Sequence, residues 1–261
     1  MERMLAGHGR RLIDAAGLRT GDHVLDVGCG TGTSSCEAAR RVRPGGSVTA
    51  VDISAPLLAV AEEAGRDLPI RFVLGDAASH PLPIAAFDVL ISQFGLQLFP
   101  HPAEAFAHLA AAVRPGGRLV FVTWRDGRAN AWSAIPAAAV AAHLGGAPGR
   151  LGPPAEADGE PGPFSLAEPG RVRRLLEGAG FEGIAMEAVD DPVWVATDLD
   201  DALGFFEASA PDLVASLPPA VMDRVRSTLR AELAPHAEPD GIRLPAAAWM
   251  VTARRAGPTA L

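Results

Sequence analysis

Val24-Leu25-Asp26-Val27-Gly28-Cys29-Gly30-Thr31-Gly32-Thr33 runs from a short apolar segment into three closely spaced glycines and then into residues of helical character. A strand that ends in so tight a turn needs permissive backbone dihedrals, and glycine supplies them. The missing Cβ atoms also let a ligand lie directly against the main chain. Such a turn suits a nucleotide-like ligand. The dinucleotide fingerprint is G-x-G-x-x-G, however, and here the third glycine falls one residue early, at Gly32, with Thr33 where that fingerprint has glycine. The spacing favours a different cofactor.

Outward from this turn, apolar β-rich runs recur at 23–27, 48–51, 70–74, 87–91 and 119–123. Each is apolar at most positions rather than alternating, as expected of parallel strands covered on both faces. Between them lie helical segments. Ser54 is placed to cap a helix with Pro56 in its first turn and Leu57, Val60, Ala61 and Ala64 on one face. Phe106, Leu109, Ala110 and Val113 repeat that spacing before Pro115-Gly116-Gly117, and an opening helix over 2–17 gathers Leu5, Leu12, Ile13 and Ala16. Strands alternating with helices predict an α/β, Rossmann-like doubly wound sheet.

Past Trp124 the pattern changes. An Ala-rich helix over about 132–144 leads into a Gly/Pro-rich run at 145–163, and 125–170 read together as an insertion. A helix follows at 171–177, a strand at 183–189, helices at 200–208 and 219–233, and a last strand at 247–252. The chain thus divides into a cofactor-binding core at 1–124, a lid insertion at 125–170, the rest of the core with covering helices at 171–255, and a tail at 256–261. Segments 125–170 and 195–235 are expected to cover the carboxyl ends of the strands, where ligands bind in such sheets.

The chain has 261 residues, 48% hydrophobic and 21% charged, which fits one large domain with an insertion. It contains no Lys and no Tyr and a single Asn, Asn130, a composition that follows GC-rich codon usage. Without Lys there is no Schiff-base lysine and no G-x-x-x-x-G-K-[ST] phosphate loop; without Tyr and Lys there is no short-chain dehydrogenase pair. A net charge of -8 opposes a nucleic-acid partner. Two cysteines, Cys29 and Cys36, are too few for a disulfide framework or a structural zinc site, so no metal is expected. No export signal or membrane span is evident, and a cytoplasmic protein is expected.

Asp52 ends the second strand, twenty residues beyond Gly32, where a carboxylate can accept from both hydroxyls of a ribose. Gly75-Asp76-Ala77 follows the third strand, where an acid beside a backbone N–H can read the edge of an adenine. Either acid alone could simply cap a helix or close a turn. Their order and spacing point to one adenosine site.

In VLDVGCGTGT at 24–33, VTAVDIS at 48–54, GDA at 75–77, FDVLIS at 87–92 and RPGGRLVFVTW at 114–124, the sequence resembles the class I methyltransferases that use S-adenosylmethionine. The resemblance is to the bacterial small-molecule group that includes the quinone C-methyltransferases, and it covers about the first half of the chain. It implies a seven-stranded sheet, mostly parallel, whose last, antiparallel strand is the 247–252 run. It also implies that Gly28, Gly30 and Gly32 pass the methionine moiety, with Asp26 ordering the loop. Asp52 would hold the ribose and Ile53 would cover the adenine. Asp76 and the Ala77 backbone would read the adenine edge, and Ser92 and Gln93 would meet the cofactor's amino group.

A sulfonium methyl is already electrophilic, so transfer needs chiefly an in-line nucleophile in a dry site. A hydroxyl acceptor would also want a base. His101, in Phe99-Pro100-His101-Pro102, and Gln97, after the fourth strand, are the candidates on the acceptor side, although either could instead serve a helix cap. His80 is a weaker candidate, and His8, His108, His143 and His236 read as surface or core residues. Phe94, Trp124 and Trp132 are candidates for an apolar acceptor wall, Trp124 more simply for core. The Arg171, Arg173 and Arg174 cluster reads as a solvated helix face.

The turn after the fourth strand is Ile91-Ser92-Gln93-Phe94 rather than [DN]-P-P-[YF], and neither cysteine follows Pro, which speaks against amide, adenine and cytosine C5 methylation. The expected activity is S-adenosylmethionine-dependent methyl transfer to a small, largely apolar, natural-product or quinone-like acceptor, by a monomer or homodimer. Alternatives are a cyclase or rearrangement enzyme that binds the same cofactor, a regulatory scaffold, and an NAD-dependent oxidoreductase. The missing third glycine weighs against the last.

Overall fold

The computed structural model describes residues 2–144 and 161–257. Helix α1 (Glu2–Ala16) is followed by β1 (His23–Val27), α2 (Thr33–Val42), β2 (Ser47–Asp52), α3 (Ala55–Ala64) and β3 (Ile70–Leu74). Then come β4 (Phe87–Gln93), α4 (Pro102–Ala112), β5 (Val113–Trp124) and α5 (Ala131–Leu144). The second half carries α6 (Pro169–Gly178), β6 (Phe181–Val189), β7 (Val193–Ala196), α7 (Leu199–Ser209), α8 (Pro211–Ser216) and α9 (Pro219–Leu233). It closes with β8 (Ala237–Glu238), β9 (Gly241–Leu244) and β10 (Ala248–Arg255).

Seven strands form one sheet in the order β3-β2-β1-β4-β5-β10-β6. β1 pairs in parallel with both β2 and β4, placing Asp26 opposite Ala50 on one side and Ile91 on the other. β10 is antiparallel to both β5 and β6, as expected of the last strand. The order reverses between β1 and β4, and the crevice beyond their carboxyl ends is where a doubly wound sheet takes its ligand.

Alternate residues feed two cores. Val24, Val48, Val89 and Val120 pack with α1, α2 and the later helices, whereas Leu25, Leu90, Leu119 and Phe121 pack with α4 and α6. Helices on both faces explain the near-continuous apolar strands. β3 is different: it lies at the sheet edge and no residue in it is fully buried.

Several boundaries differ from the sequence expectation. β5 begins at Val113, because Val113 already pairs with Phe87 at the start of β4, and the 114–117 turn bulges out before Arg118 resumes the pairing at Val89. Ser54 occupies the N-cap of α3 without a side-chain capping bond; its N–H donates to Asp52 Oδ1 at 2.9 Å. A small sheet, β7-β9-β8, lies where no strand was expected, and α8 is an added helix. The Gly/Pro-rich run lies outside the described residues from 145 to 160, as does the tail beyond 257.

Candidate functional site

The turn after β1 is held from below and open on one side. Gly28 and Cys29 donate their N–H groups to the Val51 carbonyl at 2.9 and 3.2 Å, fastening the turn to β2. Gly28, Gly30 and Gly32 have φ of 70, 56 and 84°, all in the left-handed region. Their surroundings differ. A Cβ on Gly28 would lie 3.0 Å from Gly95 Cα, and one on Gly32 would lie 2.9 Å from Ala61 Cβ, so these two permit close packing of the β4 loop and of α3. A Cβ on Gly30 would meet nothing within 4 Å, which leaves Gly30 as the position facing open space.

Asp26, at the centre of the sheet, is wholly buried. Its Oδ2 accepts from Ser34 Oγ at 2.7 Å and Ser35 Oγ at 2.6 Å, tying β1 to the first turn of α2, while its Oδ1 is buried without a partner. Burial pushes its pKa up to about 6 against the opposing hydroxyl bonds, and the nearby Asp52 charge adds to the rise. A nearby cation would lower that value again.

Asp52 braces the same turn: Oδ2 accepts from Gly30 N at 2.8 Å and Oδ1 from Ser54 N. Beside it Ile53 is 75% exposed, a large apolar side chain with a free face. Asp76 is exposed and closes its own turn through Ala78 N at 2.9 Å, with Ala77 buried behind it. The Gly75 N–H donates to the Asp52 carbonyl at 3.0 Å, so the two acidic turns are directly joined. The glycine turn, Asp26, Asp52, Ile53, Asp76 and Ala77 therefore stand together at the carboxyl ends of β1, β2 and β3.

The residues at the end of β4 and just beyond it bond to other parts of the chain. Ser92 is fully buried and its Oγ donates to the Val27 carbonyl at 2.7 Å, supporting the glycine turn from beneath. The Gln93 carboxamide turns to α1, donating to the Leu5 carbonyl at 2.7 Å. Gln97 is buried, and its Oε1 accepts from Thr123 Oγ1 at 2.8 Å and Trp124 N at 3.2 Å. Its main-chain carbonyl accepts from Gly162 N and Ser165 Oγ. His101 is exposed at the start of α4, where its ring makes no capping bond; it lines a surface depression with Glu104, Arg171 and Arg174. The structure thus does not gather Gln97 and His101 into one cluster.

Aromatic rings continue from this loop into the second half of the chain. Phe94 stacks on Trp124 at 4.0 Å between centroids, Trp124 meets Trp132 at 5.3 Å, and Trp132 meets Phe164 at 5.6 Å. Trp124 is buried and Trp132 reaches a cavity of about 330 Å³ enclosed by α5, α7, α8 and α9. Its walls are chiefly apolar, with Phe206, Leu213, Val225 and Leu229 prominent. The carboxylate among its lining residues, Glu207, is bonded to Arg226 at 2.7 Å and held below the usual carboxylate range by that guanidinium.

Sequence reasoning missed two residues here. Gly95 is required by contact, since a Cβ there would lie 2.7 Å from the Val27 carbonyl. Asn130 is buried, donates to the carbonyls of Arg125, Asp126 and Ala247, and accepts from Ala247 N, locking α5 to β10. His8, read as surface or core, packs against Phe94 and Trp124. Among the described residues no group of three or more His, Cys, Asp or Glu is placed to hold a metal ion. Nor is any helix among them long and apolar enough to cross a membrane.

Residues 25–121 match a family model described as Methyltransferase domain. Nocamycin O-methyltransferase of Saccharothrix syringae is 41% identical over 113 residues, 42% of this chain and 40% of that protein. The ubiquinone/menaquinone biosynthesis C-methyltransferase UbiE of Stutzerimonas stutzeri is 36% identical over 115 residues, 42% of this chain and 45% of that protein. The matches thus span less than half the length of these relatives. In fold, the YcgJ protein of Bacillus subtilis superposes with a TM-score of 0.63 at 14% identity, covering 97% of this chain and all of that one.

Proposed function

We propose that residues 25–121, which match a family model described as Methyltransferase domain, form a class I, S-adenosylmethionine-dependent methyltransferase domain, and that the chain transfers a methyl group from S-adenosylmethionine to a small, largely apolar acceptor of the natural-product or quinone type. One observation carries the reading: at the β1/β4 switch point an open glycine turn at Gly30 adjoins three acids, Asp26, Asp52 and Asp76. Acids there oppose a phosphate and suit a cationic adenosine cofactor.

The cofactor supplies an electrophilic methyl on a sulfonium. The turn passes its methionine portion, and Asp26, with one buried oxygen unpartnered, adds negative charge beneath it. Asp52 keeps lone pairs for the ribose while it accepts from Gly30, so that ribose binding and turn geometry are coupled. The exposed face of Ile53 covers the adenine, and Asp76 with the Ala77 backbone takes its edge. Ser92 and Gln93 support the turn and the α1 wall from behind.

The acceptor's apolar body fits the walls of the helix-enclosed cavity, whose size is in the range of small-molecule sites. Gln97 serves the acceptor side by fixing Trp124, and His101, exposed where α4 begins, is available to pass a proton to solvent. Catalysis in this arrangement is chiefly orientation in a water-poor site.

Incubation with S-adenosylmethionine and a panel of hydroxylated aromatics and quinols tests the reading. S-adenosylhomocysteine should form in step with methylated product. Product without S-adenosylhomocysteine would establish the cyclase alternative, and no cofactor binding at all would overturn the proposal.

A further inference from the structure

We propose that His8 contacts the methyl acceptor, its Nε2 accepting a hydrogen bond and then the proton from a hydroxyl on a flat conjugated ring. This rests on the methyltransferase reading above and adds to it the acceptor's chemical class and the group that receives its proton.

His8 lies within α1 and is 1% exposed, and its Nε2 is buried without a hydrogen-bond partner. Buried polar atoms are almost always paired, and an exception asks for a ligand or a water. The ring meets Phe94 edge-on at 5.4 Å and 66° and Trp124 at 5.3 Å and 73°, and those two rings stack on each other. Phe94 itself has a φ of 61°, which side-chain-bearing residues rarely adopt and which concentrates at functional sites. The next residue, Gly95, packs against Gly28 of the glycine turn. His8 is therefore one ring away from the cofactor turn, at the carboxyl ends of β4 and β5, and its neighbour Trp124 meets Trp132 of the helix-lined cavity.

The chemistry follows from the surroundings. Burial lowers the imidazole pKa to about 4; the Asp191 charge raises it and Arg11 lowers it. At neutral pH the ring is uncharged, so Nε2 can accept from an O–H without repelling a sulfonium. Phe94 and Trp124, with Trp132 beyond them, make these surroundings aromatic, which favours a flat aromatic or enolic ring over a sugar or an aliphatic amine. In the transfer, a lone pair on the hydroxyl oxygen forms the new O–C bond as the C–S bond breaks and leaves its electron pair on sulfur. The hydroxyl proton moves to Nε2. The positive charge thus passes from sulfur to the imidazole, near the Asp191 carboxylate that Arg11 holds.

The test uses the full chain labelled with 15N-histidine and saturated with S-adenosylhomocysteine, titrated with 2-naphthol and separately with 2-methoxynaphthalene, which has the same ring system but no O–H. The His8 Nε2 resonance, assigned by its loss in His8→Phe, should move toward the hydrogen-bonded position with the naphthol and stay in place with the ether. The naphthol should bind about tenfold more tightly than the ether. That preference should vanish in His8→Phe and persist in part in His8→Gln, whose carboxamide oxygen can still accept. Unchanged thermal unfolding and S-adenosylhomocysteine affinity in His8→Gln would show that fold and cofactor site survive. The proposal falls if neither compound binds, if both bind alike, or if the preference survives in His8→Phe. Failure of the unaltered chain to bind S-adenosylhomocysteine would instead overturn the methyltransferase reading, and this proposal with it.

Discussion

The two halves of the molecule build their sites in opposite ways. In residues 23–124 the candidate cofactor site is made of backbone turns at strand ends, fixed by the sheet and, at Gly28, Gly32 and Gly95, by contacts that leave little room for a Cβ. In residues 125–257 the cavity is made of side chains that converge from four helices, and no single turn defines it. A site of the first kind tolerates little change at its glycines and constrains the ligand closely. A site of the second kind can be reshaped one side chain at a time, which suits an acceptor pocket that differs among enzymes sharing one cofactor.

The contrast breaks first at Gly95. Gly95→Ala would press a Cβ onto the Val27 carbonyl and Gly28 Cα, and overpacking of this kind costs about 1–3 kcal/mol. Because the displaced atoms belong to the glycine turn, S-adenosylhomocysteine affinity by calorimetry should fall by up to about a hundredfold, along with the unfolding temperature. Asp52→Ala comes next, with about 1–3 kcal/mol lost in cofactor binding from the ribose contact and the Gly30 brace together. Unchanged affinity would remove Asp52 from the site.

On the other side of the comparison, Ala210→Phe should fill part of the helix-enclosed cavity. Acceptor KM should rise by about tenfold while cofactor affinity holds within about twofold. Equal losses in both would mean that the halves are not separable as described. The smallest effect concerns pH. Asp26 has its pKa raised to about 6, so it is neutral well below that pH and charged above it. A cationic cofactor favours the charged form, and S-adenosylmethionine affinity should therefore strengthen as pH rises through about 6. Asp26→Asn should flatten that profile. The raised value has a stability counterpart with a definite sign. The contribution is fully present below the ordinary value of 3.8 and is lost as pH rises through about 6, so the carboxylate burdens the fold of the cofactor-free protein near neutrality.

The same contrast explains what could be read from the residues alone. The five strands of the first half stand within a few residues of their expected positions, save the early start of β5, because apolar runs and glycine turns are local signals. Asp52 and Asp76 were legible as strand-end acids for the same reason. The roles of Ser92, Gln93 and Gln97 were not, since each depends on a partner distant in sequence: Val27, Leu5 and Trp124. His8 on the apolar face of α1 looked like an ordinary core or surface residue until the fold brought it against Phe94 and Trp124. The β7-β9-β8 sheet escaped notice because its strands are only two to four residues long, too short to show a period.

Everything else depends on the open turn and its acids holding S-adenosylmethionine. Isothermal titration of the full chain with S-adenosylmethionine, at neutral pH and without any acceptor, tests this most directly. Saturable one-to-one binding is expected, and Gly95→Ala and Asp52→Ala should both weaken it. Absence of binding, or binding indifferent to both substitutions, would contradict that role.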